Sequence, residues 1–124
     1  MLEYISTPKA PAAIGPYSQA VKAGGILYLS GTMPIDPDTG SLVEKDIVCQ
    51  ARQIMKNIDA VLTQAGYTQA DVVKTTCFLA DMGDFTAFNE VYGGYFTSKP
   101  ARSCVAVKEL PKGALAEVEV VAIH

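Results

Sequence analysis

Between Ile47 and Ala65 the apolar residues Ile47, Ala51, Ile54, Met55, Ile58, Val61, Leu62 and Ala65 recur at steps of three and four, which predicts an amphipathic helix. Asp46 stands where a side-chain acceptor can cap the first turn, and Gly66 where a left-handed residue can end the last one. Upstream, the apolar run ILYLSG at 26–31 stops at Gly31 and is followed by the turn-forming stretch 33–40, MPIDPDTG, so a strand and then a turn are expected. Residues 72–80, VVKTTCFLA, are rich in β-branched side chains and alternate loosely, as a strand does. A second helix follows, with Asp84 as its expected cap and Phe85, Phe88, Tyr92, Tyr95 and Phe96 at helical spacing before Pro100 ends it. That aromatic stripe is expected to pack in the core. Residues 101–107, ARSCVAV, and 117–123, EVEVVAI, are the last two expected strands, joined by the turn-rich ELPKGAL.

Strands, helix, strand, helix, strands is the order of an α+β sandwich. Each helix joins two strands, so right-handed crossovers and two helices on one face of a mixed sheet are expected. The strands also carry apolar residues on their second face, Val121 and Ile123 lying opposite Val118 and Val120 in the alternation. A two-layer monomer would leave these wet, and identical subunits are the economical cover.

The 124 residues fit one domain, 1–124, because two would each approach the size at which a core becomes marginal. With 49% hydrophobic and 19% charged residues the composition is globular, which excludes disordered and low-complexity classes. Net charge is −3, with no basic stripe, which disfavours nucleic acid and anionic membranes as partners. No apolar run approaches the ~20 residues needed to span a bilayer, and the N-terminus lacks a signal-peptide pattern, so a cytoplasmic location is expected. Cys49, Cys77 and Cys104 are odd in number and widely spaced, which argues against a disulfide framework and a thiolate zinc site. His124 is the only histidine and the last residue. Catalytic designs built on an internal imidazole therefore have no candidate, and without a glycine-rich phosphate loop a cofactor-free reaction is expected.

Arg102 shares a strand face with Cys104 and Ala106, and a guanidinium among small residues needs a partner. It suits a carboxylate or phosphate, which it can fork bidentately, although an ion pair with one of the 13 acidic residues is the commoner arrangement. Glu117 and Glu119 share a face of the last strand, so one can enter a pocket while the other meets solvent. A glutamate beside an arginine could hold water or move a proton. Cys104 has no imidazole to activate it and reads as a small buried thiol. Tyr17, just beyond a Gly-Pro turn, could close a cleft. Ser30 and Gly31, at a strand end, could offer main-chain groups to a ligand. Asn89, off the aromatic stripe, reads as a solvent-facing amide or a donor behind the site.

The segments GPYSQAV (15–21), YLSG (28–31), PIDPDTG (34–40), DVVKTT (71–76), DMGDFTAFNEVYGGYF (81–96) and PARSCVAVKELPKGALAEVEVVAI (100–123) together closely resemble the Rid (reactive intermediate deaminase, YjgF) family, in its imine deaminase branch. That resemblance implies a chorismate-mutase-like fold assembled as a homotrimer, with clefts between subunits. It implies cofactor-free hydrolysis of 2-iminobutanoate and 2-iminopropanoate, or their enamines, to 2-oxo acids and ammonia. Carried over, Arg102 grips the substrate carboxylate and Glu117 orients water and handles the proton. The main chain at Gly31 and Cys104 holds the imine, and Tyr17, Ser30 and Asn89 complete the pocket, with Tyr17 coming from the adjacent subunit. Thr32 and Cys49 depart from the usual residues, which touches substrate preference rather than activity. Two other readings compete. Some relatives are described as ribonucleases or translation inhibitors, and a non-enzymatic trimer that binds small carboxylates or acts as a chaperone would also use Arg102.

Overall fold

The computed structural model describes residues 1–124 and contains six strands and two helices: β1 (Leu2–Ile5), β2 (Ala20–Ala23), β3 (Ile26–Thr32), α1 (Ile47–Ala65), β4 (Val72–Leu79), α2 (Phe85–Tyr95), β5 (Ala101–Ala106) and β6 (Ala116–Ile123). Helix α1 begins and ends where the sequence indicates. Asp46 accepts a hydrogen bond from the Cys49 amide at 3.0 Å, and Gly66, at φ 84°, closes the helix in the left-handed region. The start of α2 differs from expectation. The Asp84 side chain caps nothing; Asp81 instead accepts from the Gly83 amide at 2.8 Å, in a 3-10 turn that leads into the helix. The short strands β1 and β2 are also additions to the expected set.

The sheet runs β1-β2-β3-β6-β4-β5. β4 and β5 pair in parallel, with α2 between them in sequence, and every other neighbouring pair is antiparallel. β6 therefore lies between β3 and β4, antiparallel to both. Each strand sends alternate side chains to opposite faces. One face of β6 presents Ala116, Val118, Val120 and Ala122, all buried, and its opposite face presents Glu117, Glu119, Val121 and Ile123. The buried set packs under Ile54, Ile58, Val61 and Leu62 of α1 and Phe88 and Tyr92 of α2, in one continuous core. Both helices thus cover the same face of a mixed sheet, as expected.

No element covers the second face. Register aligns Tyr28 with Val121 and Ile26 with Ile123, and across the sheet Phe78 lies beside Val105. Tyr28 (49%), Ile123 (49%) and Val105 (46%) are correspondingly exposed. Glu117, Glu119, Thr76 and Lys74 share this face and lie between its apolar ends, and large apolar side chains left open at both ends are uncommon on a monomer. No helix is long and apolar enough to cross a membrane.

Candidate functional site

The residues singled out in the sequence fall into two groups, separated by the sheet. The first lies on the uncovered side. Register between β3 and β6 shifts between Leu29 and Thr32, so Ser30 and Gly31 sit in an irregularity of β3. Gly31 is needed there for space: a Cβ would stand 2.9 Å from Cδ of Glu117, whose carboxylate lies over the glycine. Tyr17, Ser30, Gly31 and Glu117 line one cleft of about 530 Å³, walled by Ala12, Ile14, Met33 and Ile35 and rimmed by Lys112, whose φ of 58° is left-handed. Burial in this cleft, and after it the neighbouring Glu119, push the Glu117 carboxyl above its ordinary range.

Three polar residues outside the expected set hold this cleft in shape. Gln19 uses its whole amide: its Oε1 accepts from the Thr7 amide at 2.7 Å, and its Nε2 donates to the carbonyls of Thr7 (3.1 Å) and Pro11 (2.8 Å). That ties the N-terminal segment to the Tyr17 loop. Asn57, fully buried on α1, donates to the carbonyls of Met33 (3.0 Å) and Ile35 (2.9 Å), which fixes the far wall. Gln50, also on α1, accepts from the Leu115 amide at 2.8 Å and so anchors the start of β6, two residues before Glu117. Both α1 residues sit on the helix's apolar stripe, and a polar side chain at a buried helical position was the available signal. Ser30 has a related role. Its hydroxyl donates to the Ser18 carbonyl at 2.6 Å, binding the Tyr17 loop to β3.

The second group lies under the helices. Arg102 projects from β5 toward α2, half-buried, and its Nη1 donates to Oδ1 of Asn89 at 2.5 Å. Its guanidinium carbon stands 4.7 Å from the centre of the Tyr92 ring and 5.5 Å from that of Phe85. The common arrangement, an ion pair with an acidic residue, is not what Arg102 makes; the one carboxylate within 4.0 Å of a basic nitrogen is that of Asp71, 3.4 Å from Nδ1 of His124. Asn89 is half-buried, and its Oδ1 accepts from Arg102, so the amide stands behind the cation. A cavity of about 370 Å³ lies beside Arg102, lined also by Asn89, Tyr92, Thr97 and Lys99.

Cys104 is two residues along the same strand face. Its thiol is raised by burial, against the lowering pull of Arg102, and that of neighbouring Cys77 is pushed up to about 12, first by burial. Both are protonated, poor nucleophiles at neutral pH, and all three cysteines are free. The Cys104 main chain is a different matter. β5 is an edge strand, and the Val107 amide donates to the Leu79 carbonyl of β4 at 2.9 Å. By strand alternation the Cys104 N–H and carbonyl, three residues back, face the free edge, where a ligand can reach them.

Arg102 and Glu117 do not meet within one chain. Arg102 is level with Thr75, on the helix-covered face, whereas Glu117 is level with Phe78, on the open face. Tyr17, expected from a neighbouring copy, keeps company with Ser30, Gly31 and Glu117, so any copy that supplies Tyr17 supplies those three with it. Each chain presents two separate groups: one with a carboxylate and a roomy cleft, one with an unpaired cation and an open strand edge. No three His, Cys, Asp or Glu side chains come together to hold a metal ion.

Residues 7–124 match the family model described as endoribonuclease L-PSP. A RutC family protein of Pyrococcus horikoshii is 54% identical over 123 residues, 98% of each chain. The crystal structure of a Rid family protein from Yersinia pestis superposes with a TM-score of 0.97 at 54% identity, over 100% of both chains. That of TdcF from E. coli with bound serine gives a TM-score of 0.94 at 40% identity, over 98% of each. Sequence and fold agree across nearly the full length, and the chain belongs to the Rid family.

Proposed function

We propose that the protein is a hydrolase that deaminates small, reactive 2-imino acids and their enamine tautomers, 2-iminobutanoate and 2-iminopropanoate among them, to 2-oxo acids and ammonia. Rid family membership supports a deaminase role of this general kind. The observation that carries the reading is the state of Arg102: a half-buried guanidinium held by an amide and two aromatic rings, with no carboxylate of its own. Such a group is preorganised for a substrate carboxylate. The serine bound to TdcF, a small amino acid, fits the same ligand class.

The active form is a homotrimer. Packing the open sheet faces about a threefold axis removes Tyr28, Val105 and Ile123 from water, and the Arg102 group of one copy meets the Glu117 cleft of the next at the free edge of β5. In the joined site Arg102 forks onto the carboxylate, and the free main chain of Cys104, with that of Gly31, holds the imine nitrogen. Glu117 takes a proton from water as its oxygen bonds to C2. The C=N π pair and that proton go to nitrogen, giving a carbinolamine; Glu117 then moves the proton of the new C2 hydroxyl to nitrogen as the C–N bond breaks, so ammonia leaves and the 2-oxo acid remains. The raised affinity of Glu117 for protons makes it a stronger base than an exposed glutamate. Imines hydrolyse in water unaided, so orientation and one positioned base suffice.

A coupled assay tests this. A threonine dehydratase generates the imine and semicarbazide traps what survives; the protein is expected to lower the trapped product, and unchanged trapping would contradict the reading. RNA hydrolysis, raised by the family model's description, has little support: the net charge is −3, and the sole histidine is bonded to Asp71 at the end of β6 remote from Glu117. Gly31 supplies an independent check. Gly31→Ala forces the Glu117 carboxylate aside, so kcat should fall at least about tenfold, while the flexible carboxylate yields and the melting temperature stays within a few degrees. Unchanged kcat would show that the carboxylate's place over Gly31 is immaterial.

A further inference from the structure

We infer that Tyr92, tied to the sheet by Thr75, is a positioning residue that sets the Arg102 guanidinium for its substrate. The inference rests on the reading of Arg102 as the carboxylate clamp. Thr75 and Arg102 are direct partners across β4 and β5 and point to the same, helix-covered face. Thr75 is fully buried, and its hydroxyl pairs with the Tyr92 hydroxyl at 2.6 Å. The ring that carries this hydroxyl is the one facing Arg102 at 4.7 Å. One side chain thus joins a residue of β4 to the cation beside it on β5.

The ring has little freedom to swing. Tyr92 is 7% exposed and packs against Phe88 and Phe96, with ring centres 6.0 and 4.8 Å away. Phe85, Asn89 and Tyr92 recur at steps of four and three along α2, so one helix face gives Arg102 an aromatic ring, an acceptor and a second ring. The Asn89 amide takes one N–H of the fork, and the aromatic faces fix its plane without taking any more. The remaining donors stay free for a ligand. An arginine ordered before binding loses less freedom when it binds, so removal of Tyr92 should weaken carboxylate capture more than it slows the chemical step.

The test compares Tyr92→Leu, Tyr92→Phe and Arg102→Ala with the wild type, each as assembled full-length protein, in steady-state kinetics and in titration with 2-oxobutanoate. Tyr92→Leu should raise KM and the 2-oxobutanoate Kd about tenfold with kcat within about twofold, and Tyr92→Phe, which keeps the ring, should raise them about threefold at most. A merely structural residue would lower the active fraction and leave KM alone. Unchanged KM and Kd in folded Tyr92→Leu, with Arg102→Ala still losing binding, would overturn the positioning role alone. If Arg102→Ala binds 2-oxobutanoate like the wild type, the clamp reading itself fails. Should Tyr92→Leu not assemble, the Nε–Hε signal of Arg102 decides the matter in Tyr92→Phe and Thr75→Val. Greater mobility on loss of the hydroxyl pair supports positioning, and unchanged mobility overturns it.

Discussion

Arg102→Ala is expected to lower kcat/KM for 2-iminobutanoate by about 10²-fold to 10⁴-fold, the largest effect of any single substitution. The size follows from what is removed: two hydrogen bonds from a cation to a carboxylate, each contributing about 1.5–3 kcal/mol, at about 1.4 kcal/mol per factor of ten. No acidic residue pairs with Arg102, so its loss leaves no buried carboxylate stranded. Asn89 and the two rings lose a partner, but the protein should remain folded and assembled. Arg102→Lys should recover little, because an ammonium offers a point charge where the substrate meets a fork. Steady-state kinetics with the trapping assay measure the effect. A loss under tenfold would mean that some other group holds the carboxylate.

Glu117→Gln should act on the other kinetic constant, lowering kcat by about 10²-fold or more with KM little changed, as removal of a general base does. It also has a signature in stability. Burial raises the Glu117 carboxyl above its value in the unfolded chain, so between the two values the folded state binds more protons. Stability therefore falls as pH rises through that window, and the cost persists above it. The glutamine variant lacks this cost and should be at least as stable as the wild type at neutral pH, with a flatter profile from pH 4.5 upward. Activity follows the same group with opposite sense: kcat falls as pH drops through the raised value, because a protonated Glu117 accepts no proton. An acid limb at the pH of an ordinary glutamate would place the base in open solvent.

Much of this was legible in the chain. The α1 stripe, its Asp46 cap and its Gly66 stop are local features, and local features are what periodicity reports. β1 and β2 were not legible: each is four residues long, and only Ile5 and Ala20 are buried, so neither shows an alternation. Asp84 misled because an acidic residue before an aromatic stripe is a good cap by position, yet the preceding 3-10 turn gave that task to Asp81. The site residues were all readable by type, but not their grouping. Alternation within β5 and β6 says which residues share a face; only packing says which face the helices cover. That single tertiary fact puts Arg102 beneath α2 and Glu117 on the open side. Gln50 and Asn57 were readable in principle, as polar residues on a buried stripe, whereas nothing local to Gln19 distinguishes it from a surface amide.

The proposed division of one reaction between two copies is tested most directly by mixing the two inactive variants. Arg102→Ala and Glu117→Gln chains, carrying different tags, are co-expressed, and hybrids holding both are isolated. In a cyclic trimer, every hybrid has one junction where an intact Arg102 from one copy meets an intact Glu117 from the next, so about one site in three should work. The predicted result is about a third of wild-type activity per trimer, from two proteins that are each inactive alone. Hybrids of verified composition with no activity would contradict the shared site.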